Sequence, residues 1–256
     1  MTIDLNADVG ESFGAFSVGN DAVLLGLVSS ANIACGAHAG DPAVMQETIA
    51  DAIAGGASLG AHPGYPDIQG FGRRSMAMSE SEVYGWVLYQ IGALQAFARA
   101  AGSSLRHVKP HGALYNDAAK NPALARGIAR AVSAAGGDLY LVGLPGCEME
   151  HAAKAAGIPY AREFFADRAY EDDGSLVSRS REGSVLHDED LCVRRVLQLV
   201  REGKVETISG KTISVRADTI CLHGDNQKAL VFARLLAQTL RDNGVEIRPF
   251  APSALR

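Results

Sequence analysis

Two histidines of this 256-residue chain stand in the same short glycine-rich context. His38 lies in CGAHAGD and His62 lies in GAHPGYPD, so Gly-Ala-His-x-Gly is written twice. Glycine on either side allows the backbone to turn tightly beside the side chain. A histidine side chain can act as a general acid or base near neutral pH, or it can bind a metal. The repeat therefore predicts two histidines in a functional site rather than in a packed core.

Two further histidines share this placement. His111 follows HVKP and His223 follows TICL, so that all four come at the end of a short apolar run and are followed within two residues by glycine. One histidine at a strand end is more often a packing or capping residue than a catalyst. Four with the same placement are harder to ascribe to chance, and we expect the four imidazoles to converge.

Other polar side chains have a spacing that places them on the same side of a strand. Asn6 and Asp8 are two residues apart in the first apolar segment, and Lys109 and His111 repeat this arrangement in a later one. Residues two apart in a strand share a face. Burying a carboxylate or an ammonium group is costly unless the charge is paired or used. We therefore add Asp8 and Lys109 to the candidate catalytic residues, with Asn6 as a neighbour that binds substrate. For Asp8, a cap on the following loop is an equally good interpretation.

Candidate substrate-binding residues come from two other segments. The pair in GFGRR, Arg73 and Arg74, offers planar guanidinium groups suited to a carboxylate or a phosphate, although adjacent arginines on a loop are usually only solvated. Residues 165–188 are polar and have no helical period, which predicts a long loop over one face. Three of its side chains could close over the site, unless the loop is merely a flexible surface segment: Asp167, Arg168 and Tyr170.

The elements that must position these side chains alternate between strand and helix along the whole chain. Asp41 and Pro42 begin one helix, and Ser79 with Glu82 forms a capping box for another. Repeated strand–helix units, with no linker rich in Pro, Ser or Gly, predict a single domain over residues 1–256 with parallel strands inside and helices outside. A closed barrel of about eight candidate strands fits better than an open sheet. In such a barrel the loops after the strands share one rim and carry the site.

Composition excludes some classes of function. Hydrophobic residues make up 47% and charged residues 21%, as in ordinary soluble proteins. The net charge of -5 and the lack of a basic stripe argue against a nucleic-acid partner, and no apolar run is long enough to span a membrane. Four cysteines lie far apart without a CxxC pair, which favours a reduced, cytoplasmic compartment. SGKTIS lacks the first glycine of a phosphate-binding loop, and residues 204–218 are predicted to form a β-hairpin.

Seven segments together resemble the LamB/YcsF family: DLNADVGE, NIACGAHAGD, GAHPGYPD, FGRR, KPHGALYN, FADRAYEDDGSLVSR and LHGDN. The resemblance covers nearly the whole chain. It implies an irregular seven-stranded (β/α) barrel of the glycoside hydrolase/deacetylase type. It also implies ATP-dependent hydrolytic ring opening of 5-oxo-L-proline (pyroglutamate) to L-glutamate, with release of ADP and phosphate. Mg²⁺ could accompany the ATP, and the partners implied are subunits B and C of a three-component 5-oxoprolinase.

This activity gives the candidate residues provisional roles. A five-membered lactam is a poor electrophile, so phosphorylation of its oxygen would prepare it for attack by water. Such a site needs an acid–base group, a cation beside the negative charge that develops during the reaction, and a group that binds the substrate carboxylate. The hypothesis assigns acid–base chemistry to the four histidines with Asp8 and charge stabilisation to Lys109. It assigns the binding of an anion to Arg73 or Arg74.

Two other functions remain open. In a metal-dependent deacetylase or amidase, Asp8, His38 and His62 would hold a divalent metal, because related barrels use one Asp and two His, and metal-bound water would replace ATP. In a non-catalytic subunit, the same rim would bind substrate and pass it to partners. The sequence also leaves open which component of the enzyme binds ATP.

Overall fold

The computed structural model describes residues 1–178, 180–222 and 227–250, with only the backbone of residues 227–229. The strands in this part of the chain are β1 (Thr2–Val9), β2 (Ser30–Ala34), β3 (Ser58–His62), β4 (Leu105–Val108), β5 (Tyr140–Gly143), β6 (Tyr160–Phe165), β7 (Lys204–Glu206), β8 (Thr212–Ser214), β9 (Thr219–Leu222) and β10 (Glu246–Ile247). The helices are α1 (Asp21–Leu25), α2 (Pro42–Ala54), α3 (Glu80–Ala100), α4 (Gly112–Ala118), α5 (Pro122–Ala135), α6 (Glu148–Ala156), α7 (Glu189–Glu202) and α8 (Gln227–Asp242).

A closed barrel of seven parallel strands forms the centre of the fold. The order is β1-β2-β3-β4-β5-β6-β9, and β9 pairs with β1 to complete the ring. The last strand, β10, adds to the start of β1 outside the ring, with Thr2 opposite Glu246. The seven-stranded (β/α) barrel is therefore confirmed, and the eighth candidate strand is peripheral.

Helices cover the outside of the barrel, and their termini follow the sequence signals. The Asp41 carboxylate accepts hydrogen bonds from the first backbone amides of α2, and Ser79 and Glu82 form the predicted capping box at the start of α3. The long helix α3 packs closely against α5, where Gly127 is required. A Cβ at that position would lie 2.7 Å from the carbonyl oxygen of Glu80.

The interior of the barrel is polar along much of its length. Nine polar or charged residues of the described chain, on or directly after the strands, are at most 2% exposed: Asp4, Asn6, Ser30, Asn32, His62, His107, Lys109, Glu163 and Thr219. At the N-terminal end of the strands, Asp4 accepts hydrogen bonds from the hydroxyl groups of Ser29, Ser30 and Thr219. Burial raises the pKa of Asp4 to about 6. Gly60 makes space for the His107 ring, because a Cβ there would lie 2.0 Å from His107 Nε2.

Two segments outside the barrel have sequence predictions to compare with the structure. The predicted hairpin is confirmed as the antiparallel pair β7–β8. Most of the segment 166–188 is described, and its strand-like pairing there consists of two short bridges, Arg168–Val185 and Tyr170–Leu176. The Tyr170 ring is fully buried and stacks on Phe164. This part of the loop is therefore packed into the molecule.

No helix within the described ranges is long and apolar enough to cross a membrane.

Candidate active site

Three of the four predicted histidines meet at the C-terminal rim of the barrel. His38 follows β2, His62 ends β3 and His111 precedes α4. The rings of His38 and His111 stack with centroids 3.7 Å apart, and the centroid of His62 lies 4.9 Å from that of His111. The fourth, His223, lies outside the described residues.

The glycines around these histidines make room for their rings. A Cβ on Gly64, in the second Gly-Ala-His repeat, would lie 2.5 Å from His38 Nδ1. Gly72 has φ +63° and lies between two rings, so that a Cβ would come within 2.8 Å of both His38 and His111. The second half of the repeated motif thus serves close packing against a neighbouring histidine, in addition to a tight turn.

Backbone carbonyls fix the protonation of two of the rings. His62 Nδ1 lies 2.7 Å from the carbonyl oxygen of Lys109, and His111 Nε2 lies 2.9 Å from that of Phe71. A carbonyl only accepts hydrogen bonds, so each of these nitrogens is the donor. The remaining nitrogens, His62 Nε2 and His111 Nδ1, face each other at 3.0 Å. Two lone pairs this close require a shared proton or a cation between them.

A carboxylate completes this group. Glu11 Oε1 lies 3.3 Å from His111 Nδ1 and 3.4 Å from His38 Nε2. One ligand atom from each of Glu11, His38, His62 and His111 lies within 4.8 Å of all the others. We call these four residues the histidine–glutamate cluster. Its atoms Glu11 Oε1 and His38 Nε2 are buried and have no hydrogen-bond partner among the described residues.

The electrostatics of the cluster suit a metal cation. Burial lowers the pKa of His38 well below its usual range and that of His111 to about 2, so both rings are neutral. Three imidazoles with one carboxylate are a donor set for a borderline divalent metal such as Zn²⁺. His62 and His111 donate their other ring nitrogen to a carbonyl, as metal-binding histidines usually do. A possible metal site is therefore present, in which Glu11 and His111 join His38 and His62 in place of the Asp8 expected from the sequence.

Asp8 borders the cluster and connects it to Lys109. Its Oδ2 lies 3.4 Å from His62 Nε2, while its Oδ1 accepts hydrogen bonds of 2.9 Å from both Lys109 Nζ and Asn32 Nδ2. Asp8 is therefore placed both to exchange a proton at the cavity and to hold the lysine.

Lys109 is a buried cation surrounded by acceptors. Its Nζ lies 2.7 Å from Glu163 Oε1, 2.9 Å from Asp8 Oδ1, 3.1 Å from Asn6 Oδ1 and 3.2 Å from Cys221 Sγ. Burial disfavours its charge, but Asp8, Cys221 and Glu163 outweigh that effect and raise the pKa of Lys109 well above its usual value. Lys109 is therefore a fixed positive charge and not a base. Cys221 is buried and also contacts this charge.

A cavity of about 200 Å³ opens above these residues. Its walls include Asp8, Glu11, His62, Lys109, His111, Tyr115, Phe165, Arg73 and Arg168. A larger cavity of about 490 Å³ adjoins it and shares the residues Asn116, Arg168 and Leu176. The smaller cavity has room for a compact ligand with one carboxylate, and it offers two guanidinium groups in its wall.

Four predicted substrate-binding residues lie elsewhere than the cavity wall. Arg74 pairs with Asp67 and its side chain is 64% exposed. Asn6 lies below the cavity, where it donates to Thr219 and accepts from Lys109. Tyr170 is buried because its hydroxyl accepts a hydrogen bond from the backbone amide of Phe165. Asp167 follows β6, and its carbonyl accepts from the amide of Leu186. Arg74, Asn6 and Tyr170 have types that suit ligand binding, but their side chains are engaged by these partners instead.

Two residues of the site have no role predicted from the sequence. Glu11 follows Gly10 just after β1, and its local pattern indicates no function by itself. Glu163 does have a signal that sequence reasoning missed. It is a charged residue at an inward position of the apolar strand YAREFF, two residues before Phe165.

Comparison with known proteins gives consistent results. The sequence model of the LamB/YcsF family matches residues 3–254. A protein of Tolumonas auensis, named as the A subunit of 5-oxoprolinase, is 54% identical over 246 residues, which cover 96% of this chain and 98% of the relative. One of the same name from Bacillus cereus is 52% identical over 247 residues, with the same coverage.

Solved structures show the same fold. The crystal structure of a lactam utilization protein from Thermus thermophilus matches with a TM-score of 0.94 and 50% identity, over 98% of this chain and all of the other. A family 4 carbohydrate esterase from Streptomyces lividans matches with a TM-score of 0.50 at 12% identity, over 99% of this chain and 94% of the other. The second match concerns the fold alone.

Proposed function

Because the chain belongs to the LamB/YcsF family, we propose that it is the A subunit of a 5-oxoprolinase, which opens the ring of 5-oxo-L-proline to give L-glutamate. Relatives with that name are 50% identical or more over 96% of the chain. The observation that carries the proposal is the small cavity whose wall brings together Asp8, Lys109 and three members of the histidine–glutamate cluster, Glu11, His62 and His111. Its residues supply the acid–base group, the fixed cation and the anion-binding groups that lactam hydrolysis needs.

We assign the chemistry of ring opening to the chain's own residues as follows. Asp8 accepts the proton of the attacking water, with His62 beside it as the second acid–base group. Lys109 stabilises negative charge that develops on the lactam oxygen or on a phosphate carried by it. Arg73 and Arg168, in the wall of the cavity, hold the substrate carboxylate. A proton must also reach the lactam nitrogen as it becomes an amine, and the proton that Asp8 takes from the water can supply it.

ATP and its products ADP and phosphate belong to the proposal at the level of the complex. The relatives are named as one subunit of an enzyme, which supports a multi-subunit assembly, and we propose subunits B and C as the partners. The segment SGKTIS is part of the β7–β8 hairpin, so we do not assign the nucleotide to it. Free cysteines throughout the chain support a cytoplasmic location, and we keep the proposal of a single domain over residues 1–256.

We further propose that the histidine–glutamate cluster binds a divalent metal. The observation in favour is the pair of facing lone pairs on His62 Nε2 and His111 Nδ1, with Glu11 and His38 in reach. A divalent cation held there would lower the pKa of a water molecule and polarise a carbonyl group. This chemistry serves the same ring opening, and it also supports the second candidate function, an ATP-independent amidase or deacetylase.

Reconstitution separates these two functions. The purified chain is mixed with 5-oxoproline, ATP and subunits B and C, and glutamate and ADP are measured while each component is left out in turn. For a 5-oxoprolinase subunit we expect glutamate and ADP in equal amounts, and only in the complete mixture. Glutamate formed by the chain without ATP would contradict the proposal and establish the amidase. No glutamate from the complete mixture would contradict both.

A further inference from the structure

Glu163 is a buried carboxylate on β6 that lies outside the cavity wall. Its side chain has no solvent exposure, and it stands opposite Thr219 of β9 inside the barrel. The contact that links it to the site is the one from its Oε1 to Lys109 Nζ, at 2.7 Å. A buried carboxylate is costly unless its charge is paired, so this contact must balance much of that cost.

The position of Lys109 depends on contacts from three strands. Asn6 and Asp8 of β1 hold the ammonium group from one side, Cys221 of β9 lies next to it, and Glu163 holds it from β6. The three N–H donors of the ammonium group have Asn6 Oδ1, Asp8 Oδ1 and Cys221 Sγ as acceptors within 3.2 Å, and Glu163 Oε1 adds an ion pair at 2.7 Å. Loss of the β6 contact would leave acceptors from β1 and β9 alone, and Nζ would be free to move towards Asp8.

Glu163 and Asp8 share Lys109 as their cation. One oxygen of each carboxylate lies within 2.9 Å of Lys109 Nζ. The lysine is therefore held by charged partners on both β6 and β1.

Glu163 is not part of the cavity wall, whereas the aromatic residues Tyr115 and Phe165 are. Tyr115 and Phe165 line the wall and their rings meet edge to face, with centroids 5.9 Å apart. Lys109 Nζ also lies 5.6 Å from the centroid of the Phe165 ring. Glu163 therefore acts on a ligand through the residues next to it, Lys109 and Tyr115, rather than by direct contact.

We propose that Glu163 is a positioning residue for ring opening: it holds Lys109 from β6 and so keeps the ammonium group in place beside Asp8 and the cavity. The inference rests on the proposed function of the chain. It adds a further strand, β6, to the strands that supply the chemistry of the site.

The first test is a double-mutant cycle in the reconstituted complex. Glu163→Gln preserves the shape of the side chain and removes its charge. We expect kcat to fall about tenfold or more, with the KM for 5-oxoproline changed less than about twofold. In a Lys109→Met background the same substitution should cause no further loss of kcat, since Glu163 acts through Lys109. Asp4→Asn, at an equally buried carboxylate that does not contact Lys109, is the matched control and should leave kcat unchanged.

Two results of this cycle would overturn the proposal. One is full kcat in Glu163→Gln; the other is an equal loss of kcat with and without Lys109, which would indicate a general structural role. If Glu163→Gln does not fold, Glu163→Asp is used instead, because it keeps the charge but shortens the side chain by one methylene. It should then lose kcat by less than Lys109→Met, again with KM nearly constant, and wild-type kcat would contradict the proposal.

The second test does not depend on activity. In ¹⁵N-labelled wild-type chain, the buried ammonium group of Lys109 should exchange its protons slowly and give an NMR signal that is absent in Lys109→Met. This signal should be lost or strongly broadened in Glu163→Gln and kept in Asp4→Asn. A signal unchanged by Glu163→Gln would contradict the proposal. If the wild-type complex forms no glutamate, the proposed function fails, while this measurement still decides whether Glu163 holds Lys109.

Discussion

The two ends of the barrel interior are both polar, but their buried polar groups differ in how completely they are hydrogen-bonded. At the N-terminal end, the Asp4 carboxylate accepts hydrogen bonds from three hydroxyl groups, those of Ser29, Ser30 and Thr219. At the C-terminal end, buried atoms of Glu11 and His38 have no hydrogen-bond partner within the described chain. Buried polar groups are normally satisfied, so exceptions need an explanation. The comparison indicates that the first end serves the structure and the second serves a ligand.

Asn6 joins the two ends. Its Nδ2 donates to Thr219, which contacts Asp4, and its Oδ1 accepts from Lys109. The Asn6 side chain is an uncharged amide, so its hydrogen bonds connect the geometry of the two ends without carrying a charge between them. Glu163 makes only the smallest of the contributions to the raised pKa of Asp4, so the charges at the two ends should be largely separable by mutation.

The largest effect is expected at the C-terminal end, for Lys109→Met. The substitution leaves Asp8 and Glu163 buried without their cation, which should destabilise the fold by about 3 kcal/mol. It should also lower kcat about 100-fold, because the fixed charge at the cavity is lost. Urea unfolding and glutamate formation measure the two effects. Lys211→Met, at an exposed pair with Asp172, is the control and should change stability by less than about 1 kcal/mol. Equal losses of stability in Lys109→Met and Lys211→Met would contradict the claim that the buried lysine contributes more than the exposed one.

At the N-terminal end, the prediction concerns pH. Burial raises the pKa of Asp4 to about 6 from 3.8 in the unfolded chain. The folded state thus favours the protonated form, and this contribution to stability is complete below pH 3.8 and is lost as the pH rises through 6. The loss amounts to about 3 kcal/mol at most. Asp4→Asn should become more stable relative to wild type as the pH rises from about 4.5 to about 7, as measured by urea unfolding. A difference that does not vary with pH would contradict the raised pKa.

A divalent metal should bind at the C-terminal end of the barrel interior, in the histidine–glutamate cluster. Zn²⁺ at about 100 times its Kd should raise the free energy of unfolding of the wild-type chain by about 2.7 kcal/mol. The double variant Glu11→Gln/His38→Ala should lose most of this gain. His151→Ala, at an exposed histidine of α6, should keep it. Equal stabilisation of all three proteins by Zn²⁺ would place the metal elsewhere.

The smallest effect is expected for substrate binding, and it should differ between the adjacent residues Arg73 and Arg74. Arg73 lines the cavity, whereas Arg74 pairs with Asp67 away from it. Arg73→Ala should raise the KM for 5-oxoproline about tenfold, since one carboxylate contact is lost. Arg74→Ala should change KM by less than about twofold. The reverse order of effects would show that the substrate carboxylate binds outside this cavity.

The sequence was sufficient for those features that depend on local signals. Helix starts at Asp41 and Ser79 follow from capping, and the convergence of His38, His62 and His111 follows from their position after parallel strands. Pairing partners depend instead on tertiary structure. Arg74 is held away from the cavity by Asp67, and Tyr170 is drawn into the core by the amide of Phe165. Neither contact has a signal in the local sequence.

The local sequence pattern also could not predict which charged residues pair with one another. Glu163 lies on β6 and Lys109 directly after β4, and their contact depends on how the strands are arranged around the barrel. Glu11 joins the cluster because the chain turns at Gly10, with φ +69°, after β1. The short helix α4, next to His111, was also missed, since KPHGALYN has no long apolar period.

The central claim is that the C-terminal end of the barrel interior performs the ring opening and the N-terminal end does not. The most direct test compares Asp8→Asn with Asp4→Asn, two matched substitutions on the same strand, in the complete complex with subunits B and C. The rate of glutamate formation is measured for each at neutral pH. The account predicts that Asp8→Asn lowers this rate by about 100-fold or more and that Asp4→Asn leaves it within about twofold of wild type. Wild-type activity in Asp8→Asn would contradict the account.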